Sequence, residues 1–205
     1  SVPLSNCIRN PYPFMKVGLF FGSFNPIHNG HLVIAQYMAE FTDLDQVWLV
    51  VSPHNPLKLA GSLLQDHHRF EMVRIAVGNY RKLKASKVEF TLPKPSYTIN
   101  TLTYLHEQHP EQSFVLIMGS DNLETIKKKK NWEQIIEHYE IYIYPRPGSD
   151  GGELKNHPKV KYIDAPLMQL SSTFIRKAIY DKKDIRYMLP ESVYGYIDEM
   201  NFYKK

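Results

Sequence analysis

Two histidines three residues apart, His28 and His31, stand in the segment GSFNPIHNGH (residues 22–31), directly after a short apolar run. Residues at this spacing share one face of a helix, and an imidazole can donate a hydrogen bond to a phosphate oxygen in either protonation state. Asn25 followed by Pro26 indicates an N-cap and the first helical residue. The segment favours a phosphate cradle at a helix N-terminus, while an ordinary capped helix and a metal-binding histidine pair stay open.

A second segment rich in hydroxyl groups, SSTFIR (residues 171–176), also stands at a predicted helix start. Ser172 and Thr173 fall in the first turn, and Arg176 follows on the same helix face. Two hydroxyls, free helix amides and a guanidinium would suit a polyphosphate, because arginine binds phosphate oxygens through two parallel hydrogen bonds. The alternative is a capped amphipathic helix with a surface arginine.

Motifs of other nucleotide-binding and hydrolytic folds are not found in these 205 residues. There is neither a GxGxxG turn nor a GxxxxGK[ST] loop. No GxSxG elbow or cysteine–histidine pairing suggests a covalent nucleophile. The sequence therefore offers groups that hold phosphates rather than a group that attacks them.

Composition points the same way. Lysine and arginine number 25 against 21 acidic residues, and the resulting charge of +4 suits a phosphate-rich small substrate without requiring nucleic acid. The densest basic run, Lys127 to Lys130, favours a solvated loop or helix face over a partner-binding site. Cys7 is the single cysteine and cannot form an internal disulfide. With no apolar run of ~18 residues and no recognisable leader, we expect a cytoplasmic protein that does not enter a membrane.

The elements that must position these residues alternate along the chain. Apolar runs predict strands over 16–21, 46–51, 85–90, 113–118, 140–144 and 160–164, and helical periodicity predicts helices over 27–41, 67–78, 98–109, 132–139, 172–180 and 190–200. This pattern predicts an α/β fold, a mostly parallel twisted sheet with helices on both faces. We expect a tail over 1–14 and a single domain over 15–205, with C-terminal helices (about 172–200) packing on the core. Ligands of such sheets bind beyond the carboxyl ends of the strands.

The two segments together resemble the paired signature of the HxGH nucleotidyltransferases, which have a Rossmann-like fold with a small C-terminal helical part. Further segments narrow the resemblance, which runs in order from residue 16 to 197, to the nicotinate-nucleotide adenylyltransferase family. They are SPHNPLK (52–58), HHRFEM (67–72), PSYTINTL (95–102), MGSDN (118–122), Trp132, PRPG (145–148) and LPESVYGYI (189–197).

The resemblance implies residue roles. It implies that the catalytic residues are Ser23, His28, His31 and Arg176. It implies that ATP is bound by Gly22, Ser23, Phe24, His28, His31, Gly119, Asp121, Arg146, Ser172, Thr173 and Arg176. It implies that the nicotinate nucleotide is bound by Asn55, Lys58, Tyr97, Thr98 and Trp132. The loop after the second strand reads PHNPLK where the family reads closer to PPHK, and Asn25 stands where aspartate is commoner.

The implied activity is adenylyl transfer from ATP to nicotinate mononucleotide, with release of pyrophosphate. The acceptor phosphate is ionised near neutral pH, so it can attack directly without a general base. Mg²⁺ is expected to be held mainly by the substrate phosphates, with no protein metal site. Adenylyl transfer to a pantetheine phosphate, a non-catalytic nucleotide sensor and RNA binding are the alternatives. A homo-oligomer stays open.

The predicted helix start at Thr98 also bears on the choice of acceptor. Helix N-termini attract negative charge, and hydrogen bonds to an ionised acceptor are stronger than those to a neutral one. The Tyr97–Thr98 turn therefore predicts a preference for nicotinate over nicotinamide mononucleotide, with Trp132 as the stacking face.

Overall fold

Residues 14–204 are described by a computed structural model in which six strands form one sheet. The strands are β1 (Met15–Gly22), β2 (Gln46–Val51), β3 (Leu83–Ser86), β4 (Gln112–Gly119), β5 (Ile141–Tyr144) and β6 (Val160–Tyr162). Their order is β3-β2-β1-β4-β5-β6, and every pairing between them is parallel. The predicted α/β class with a parallel sheet is confirmed. The predicted tail lies, apart from Phe14, outside the described residues, as does Cys7.

Seven α-helices connect or follow these strands within residues 14–204. They are α1 (Asn29–Phe41), α2 (Asp66–Val77), α3 (Thr98–Gln108), α4 (Ser120–Glu124), α5 (Trp132–His138), α6 (Ser172–Tyr180) and α7 (Glu191–Met200). None of them combines the length and apolar character needed to cross a membrane.

The sheet is buried on both faces, which is why its strands read as near-continuous apolar runs. Alternate strand residues point to opposite sides, so Leu19 and Phe20 of β1 belong to different core clusters. The cluster around Phe20 contains residues of α1, α2, α6 and α7. The cluster around Leu19 contains residues of α3, α4 and α5. The C-terminal helices α6 and α7 thus share a core with α1 and α2. The division of the chain into a tail and one domain stays a prediction.

The predicted strand over 85–90 is wrong beyond Ser86, where the chain turns into a 3₁₀ helix at Val88–Thr91. The edge strand β3 pairs only with β2, and its pairing partners end at Val50. With β2 itself ending at Val51, the following residues have no ladder to join. The apolar side chains of this segment pack on the core instead: Phe90 lies against the cluster around Phe20, and Val88 lies against the cluster around Leu19.

The order of the strands creates one crevice at the carboxyl edge of the sheet. The chain leaves β1 towards α1 on one face and leaves β4 towards α4 on the other. Neighbouring parallel strands whose connections diverge in this way open a cleft between them, where ligands of such folds bind.

Candidate active site

Two adjoining cavities occupy the crevice beyond β1 and β4. The larger cavity, about 240 Å³, lies against α1, Arg146 and the start of α6. The smaller cavity, about 130 Å³, lies against Thr98 and Lys129. Phe20, Asn122 and Tyr144 line both, so the two spaces share a wall. A ligand with two parts could therefore place one part in each cavity.

His28 and His31 line the larger cavity as a stacked pair with ring centroids 3.7 Å apart. Each ring accepts a hydrogen bond from the other residue's backbone: His31 N–H donates to His28 Nδ1 at 3.3 Å, and His28 N–H donates to His31 Nδ1 at 3.2 Å. Because both Nδ1 atoms act as acceptors, the neutral rings carry their protons on Nε2. Each imidazole is thus left with one N–H donor that no backbone group of residues 14–204 uses.

Both rings are kept neutral. Burial, with a smaller contribution from the nearby Arg146 charge, lowers the pKa of His28 to about 4. Burial also lowers the pKa of His31 well below its usual range, with His28 and Arg146 adding to the shift. His28 is buried and His31 only partly so, yet the direction is the same for both. The pair therefore acts at neutral pH as two hydrogen-bond donors and not as two cations.

Gly30 is required for this geometry. A Cβ at this position would lie 2.8 Å from Cε1 and 2.9 Å from Nδ1 of His28. Real Cβ atoms do not approach that closely, so any side chain here would push the ring aside. The spacing His-x-Gly-His thus follows from packing as well as from chemistry.

Asn25 was expected to cap α1, and this prediction is wrong. The N-cap of α1 is His28, and Asn25 and Pro26 form a turn before it. The Asn25 amide is buried: Nδ2 donates to the Ser62 carbonyl at 3.1 Å, and Oδ1 accepts from the Tyr203 hydroxyl at 2.7 Å. The side chain ties the turn to two distant segments, a role that needs both a donor and an acceptor.

The start of α6 lies directly on this turn. Ser172 Oγ donates to the Pro26 carbonyl at 2.9 Å, and Arg176 Nη1 donates to the Asn25 carbonyl at 2.8 Å. Arg176 Nη2 lies 3.4 Å from Thr173 Oγ1. The structure therefore joins the two sequence segments that predicted phosphate binding. Ser172 lines the larger cavity, whereas Thr173 and Arg176 lie outside its wall.

Arg146 and Asp121 also line the larger cavity. Ser120 is buried, and its Oγ accepts from the Arg146 amide at 2.9 Å, which fixes the loop carrying the arginine. Arg146 Nη1 also donates to the Met168 carbonyl at 3.2 Å. A Cβ on Gly119 would lie 2.5 Å from Asp121 Oδ1 and 2.7 Å from Arg146 Cγ, so this glycine makes room for both side chains.

The remaining residues assigned to ATP lie around the histidine pair rather than in the cavity wall. Phe24 is buried with its ring edge-on to His31, at a centroid distance of 5.0 Å. Ser23 is exposed beside the crevice, and Gly22 ends β1. A Cβ on Gly22 would come within 3.0 Å of the Phe24 ring. Phe24 therefore packs against the ring of His31. The roles of Ser23 and Gly22 stay predictions.

Of the residues assigned to the nicotinate nucleotide, Thr98 lines the smaller cavity. Tyr97 precedes Thr98 in the chain, but neither Tyr97 nor Trp132 lines either cavity. Each ring lies beneath a lysine ammonium: Lys130 Nζ is 4.7 Å from the Tyr97 ring centre, and Lys127 Nζ is 5.4 Å from the Trp132 ring centre. Two lysines of the run predicted as a solvated face thus lie over aromatic rings, and the roles of Tyr97 and Trp132 stay predictions.

Asn55 and Lys58 do not line either cavity. Asn55 Oδ1 accepts from the Leu57 amide at 2.9 Å, and the Lys58 amide donates to the Asn55 carbonyl at 3.0 Å, so the two residues close a local turn. Lys58 is exposed. Their assignment to the acceptor stays a prediction.

Arg69 is a supporting residue to which the sequence analysis gave no role. It is fully buried, and its Nη1 donates to the carbonyls of Ser23 and Ser52, each at 2.7 Å. Its Nη2 pairs with Asp66 at 2.6 Å. One guanidinium thus joins the loops that follow β1 and β2. The HHRFEM segment contained this arginine, but helical periodicity alone does not tell a buried arginine from an exposed one.

Asn122, Tyr144 and Lys129 are further site residues that the sequence analysis did not assign. Asn122 belongs to the GSDN segment and could have been included. Tyr144 ends β5, and burial raises its pKa to about 12, so its hydroxyl stays protonated. No sequence feature marks it, because its position depends on β5 pairing next to β4.

Residues 14–204 contain no group of three or more histidine, cysteine, aspartate or glutamate side chains arranged to hold a metal ion. The polar side chains around the larger cavity are mainly hydrogen-bond donors, with Asp121 as the acidic residue among them. This set of groups suits anionic phosphates.

A family model described as cytidylyltransferase-like matches residues 19–178. A relative from Christiangramia forsetii named "Probable nicotinate-nucleotide adenylyltransferase" is 57% identical over 191 residues, covering 92% of this chain and 98% of the relative. A relative of the same name from Flavobacterium johnsoniae is 54% identical over 193 residues, covering 93% of this chain and 100% of the relative.

Two solved structures have the same fold. They are Plasmodium falciparum nicotinic acid mononucleotide adenylyltransferase complexed with APC, at a TM-score of 0.78, and the same enzyme complexed with NaAD, at 0.79. Each is 24% identical and covers 92% of this chain and 97% of the solved chain. At that identity they show the architecture alone.

Proposed function

The chain belongs to the nicotinate-nucleotide adenylyltransferase family, and from this we infer that it transfers the adenylyl group of ATP to nicotinate mononucleotide, forming nicotinate adenine dinucleotide and pyrophosphate. The observation that carries the site assignment is the stacked pair His28 and His31, whose reciprocal backbone hydrogen bonds leave two N–H donors at the wall of the larger cavity.

ATP phosphates occupy the larger cavity in this proposal. The cavity offers the two imidazole donors, the Arg146 guanidinium and the Ser172 hydroxyl. Arg176 lies outside the cavity wall, where its guanidinium donates to the Asn25 carbonyl. In this proposal the same guanidinium binds the outer phosphates of ATP. Donors that are already fixed in place stabilise developing charge without reorganising during the reaction.

The acceptor lies across the shared wall, with its pyridine ring in the smaller cavity. Its phosphate then reaches the larger cavity past Phe20, Asn122 and Tyr144. The reaction is a direct in-line attack by this phosphate on the α-phosphorus of ATP: one P–O bond forms, the bond to pyrophosphate breaks, and no covalent enzyme intermediate arises. No side chain has to remove a proton in this scheme, which suits the two histidines because their Nδ1 atoms already accept backbone hydrogen bonds and their Nε2–H groups can donate to phosphate.

Mg²⁺ is the expected cofactor, held mainly by the ATP phosphates. Asp121 is the carboxylate at the cavity that could face the ion directly or through water. The bound ion would neutralise phosphate charge. Chelation should therefore stop turnover, and Mg²⁺ added back should restore it.

An acceptor panel tests the proposed function. The protein is incubated with ATP, Mg²⁺ and one of nicotinate mononucleotide, nicotinamide mononucleotide or a pantetheine phosphate, and both pyrophosphate and the adenylylated product are measured. We expect equal amounts of pyrophosphate and dinucleotide, formed fastest from nicotinate mononucleotide. Faster transfer to pantetheine phosphate, or no transfer to any acceptor, would contradict the proposal.

A further inference from the structure

The smaller cavity combines apolar walls with a single cationic side chain. Phe21, Leu116 and Met118 provide the apolar surface, while Thr98 and Lys129 provide polar groups on one side. A planar apolar ring with one anionic substituent complements such a space, because the ring buries apolar surface and the substituent meets the cation.

Lys129 differs from its neighbours in the basic run. Lys127 pairs with Glu153 at 2.8 Å and lies over Trp132, and Lys130 lies over Tyr97. Lys129 lines the cavity, and its Nζ lies 3.5 Å from Thr98 Oγ1. No carboxylate among residues 14–204 lies within 4.0 Å of its ammonium. Its charge is available to a ligand.

The surroundings of this ammonium favour an anion. Although Lys129 is exposed as a residue, neighbouring atoms crowd its ammonium and lower its pKa, and the charge of Glu89 opposes that shift. Glu89 is buried and accepts from Thr101 Oγ1 at 2.6 Å, which directs its carboxylate towards α3. Glu89 thus favours the protonated form of Lys129 without forming an ion pair with it. A bound carboxylate would balance the positive charge of the ammonium.

The start of α3 adds a second attraction. Tyr97 is the N-cap and makes no side-chain capping bond, and the first amides of a helix have no acceptor within the helix. The first of these amides belongs to Thr98, which lines the cavity and whose Oγ1 lies 3.5 Å from Lys129 Nζ, whereas the Asn100 amide already donates to the Tyr97 carbonyl. Free amides and a cation together favour a negative group over a neutral one.

We propose that Lys129 binds the ring carboxylate of the acceptor and thereby selects nicotinate over nicotinamide mononucleotide. This inference rests on the proposed function, since it takes the smaller cavity as the acceptor site. It adds a specificity-determining side chain to the α3 start that the sequence predicted for this role. A carboxamide in the same place would forgo the charge-assisted hydrogen bond and leave Lys129 without a counter-charge.

The test compares Lys129→Met with Lys128→Met, an exposed neighbour in the same run that lines neither cavity. Steady-state kcat/KM and calorimetric Kd are measured for nicotinate and nicotinamide mononucleotide. With Lys129→Met we expect both constants to worsen about 10- to 100-fold for the nicotinate nucleotide, while those for the nicotinamide nucleotide change less than about twofold. Lys128→Met should match the wild type, and Lys129→Arg should recover part of the loss.

Other outcomes overturn the proposal. Equal losses for both nucleotides would place Lys129 on the acceptor phosphate or in the fold, and thermal unfolding of the variant distinguishes these two. Unchanged constants would show that the helix amides select the carboxylate alone. Either result would leave adenylyl transfer by the wild-type protein standing, whereas a wild type inactive with both nucleotides would overturn the proposed function itself.

Discussion

The two cavities at the crevice are built in different ways. In the larger one, the functional groups are fixed by hydrogen bonds between side chains and backbone amides. Each histidine ring accepts from the other histidine's amide, and Ser120 Oγ accepts from the Arg146 amide. In the smaller one, the charge is carried by Lys129, a long side chain whose Nζ lies 3.5 Å from Thr98 Oγ1. Rigid donors suit the stabilisation of a transition state, whereas a flexible cation suits recognition of a substituent on the bound acceptor.

This difference separates reaction rate from acceptor choice. Changes around His28 and His31 should affect both acceptors equally, because both bring the same phosphate to the same phosphorus. Changes around Thr98 and Lys129 should affect the two acceptors differently.

The largest effect is expected from His31→Ala, which removes one donor from the larger cavity. Losing such a donor typically costs about 10²–10³ in kcat, and we expect the Michaelis constants to change far less. His31→Asn is the sharper variant, because its amide oxygen can still accept from the His28 amide while no group replaces Nε2. Steady-state kinetics should find both variants slow, with nearly the same acceptor ratio as the wild type. Near-normal turnover in His31→Asn would show that Nε2 has no part in the reaction.

Gly30→Ala tests whether the position of His28 matters as much as its presence. The added Cβ would come within 2.8 Å of the ring and displace it. A shift of about 1 Å in a catalytic group can cost about 10²-fold in rate, and we expect a loss of kcat of that order. Gly195→Ala in α7 is the matched control, since its Cβ would meet open space. It should keep full activity and gain about 0.5–1 kcal/mol of stability.

The free energy of unfolding should depend on the protonation of His28. In the unfolded chain this histidine binds a proton near pH 6.5, but in the folded protein its pKa is lowered to about 4. The unfolded state therefore holds more protons between these values, so stability is complete above that window and falls as the pH drops through it. The loss approaches about 1.4 kcal/mol per pH unit.

Urea unfolding at pH 7, 6 and 5 measures this dependence. The wild type should lose more stability on acidification than His28→Asn does. His106→Asn, which changes an exposed histidine of α3, should follow the wild type. Parallel curves for the wild type and His28→Asn would show that His28 is not held neutral by the fold.

The smallest effect is expected from Trp132→Ala. The ring is partly buried against the core cluster that contains residues of α3 and α5. If it stacks on the pyridine ring, its loss should lower kcat/KM about three- to tenfold for both mononucleotides. Stacking does not distinguish a carboxylate from a carboxamide, so the ratio of the two values should stay the same. A changed ratio would assign part of the selectivity to Trp132.

Much of the crevice could be predicted from the sequence because many of its groups lie in short segments at element starts. The starts of α3, α5 and α6 were predicted at Thr98, Trp132 and Ser172, where the structure has them. The start of α1 was placed two residues too early, because Asn25 and Pro26 are typical of a cap, whereas His28 caps α1 with its own ring, which accepts from the His31 amide. A histidine N-cap is not part of the usual capping preferences.

Long-range contacts could not be predicted in this way. Arg69 joins two loops, and Tyr203 reaches Asn25 across 178 residues of chain. The placement of Lys129 also depends on how α3 and the 3₁₀ helix Ile126–Lys128 approach each other. Charge patterning describes such a run only as basic and therefore solvated, so the sequence favoured a surface role for all four lysines.

The central claim is that the larger cavity sets the rate and the smaller cavity sets the choice of acceptor. The most direct test is a double-mutant cycle between His31→Asn and Lys129→Met, with kcat/KM measured for both mononucleotides. The account predicts that His31→Asn lowers both values by the same factor, that Lys129→Met lowers the nicotinate value alone, and that the double variant shows the product of the two effects. A nicotinate-to-nicotinamide ratio that changes with His31→Asn, or that stays constant with Lys129→Met, would contradict it.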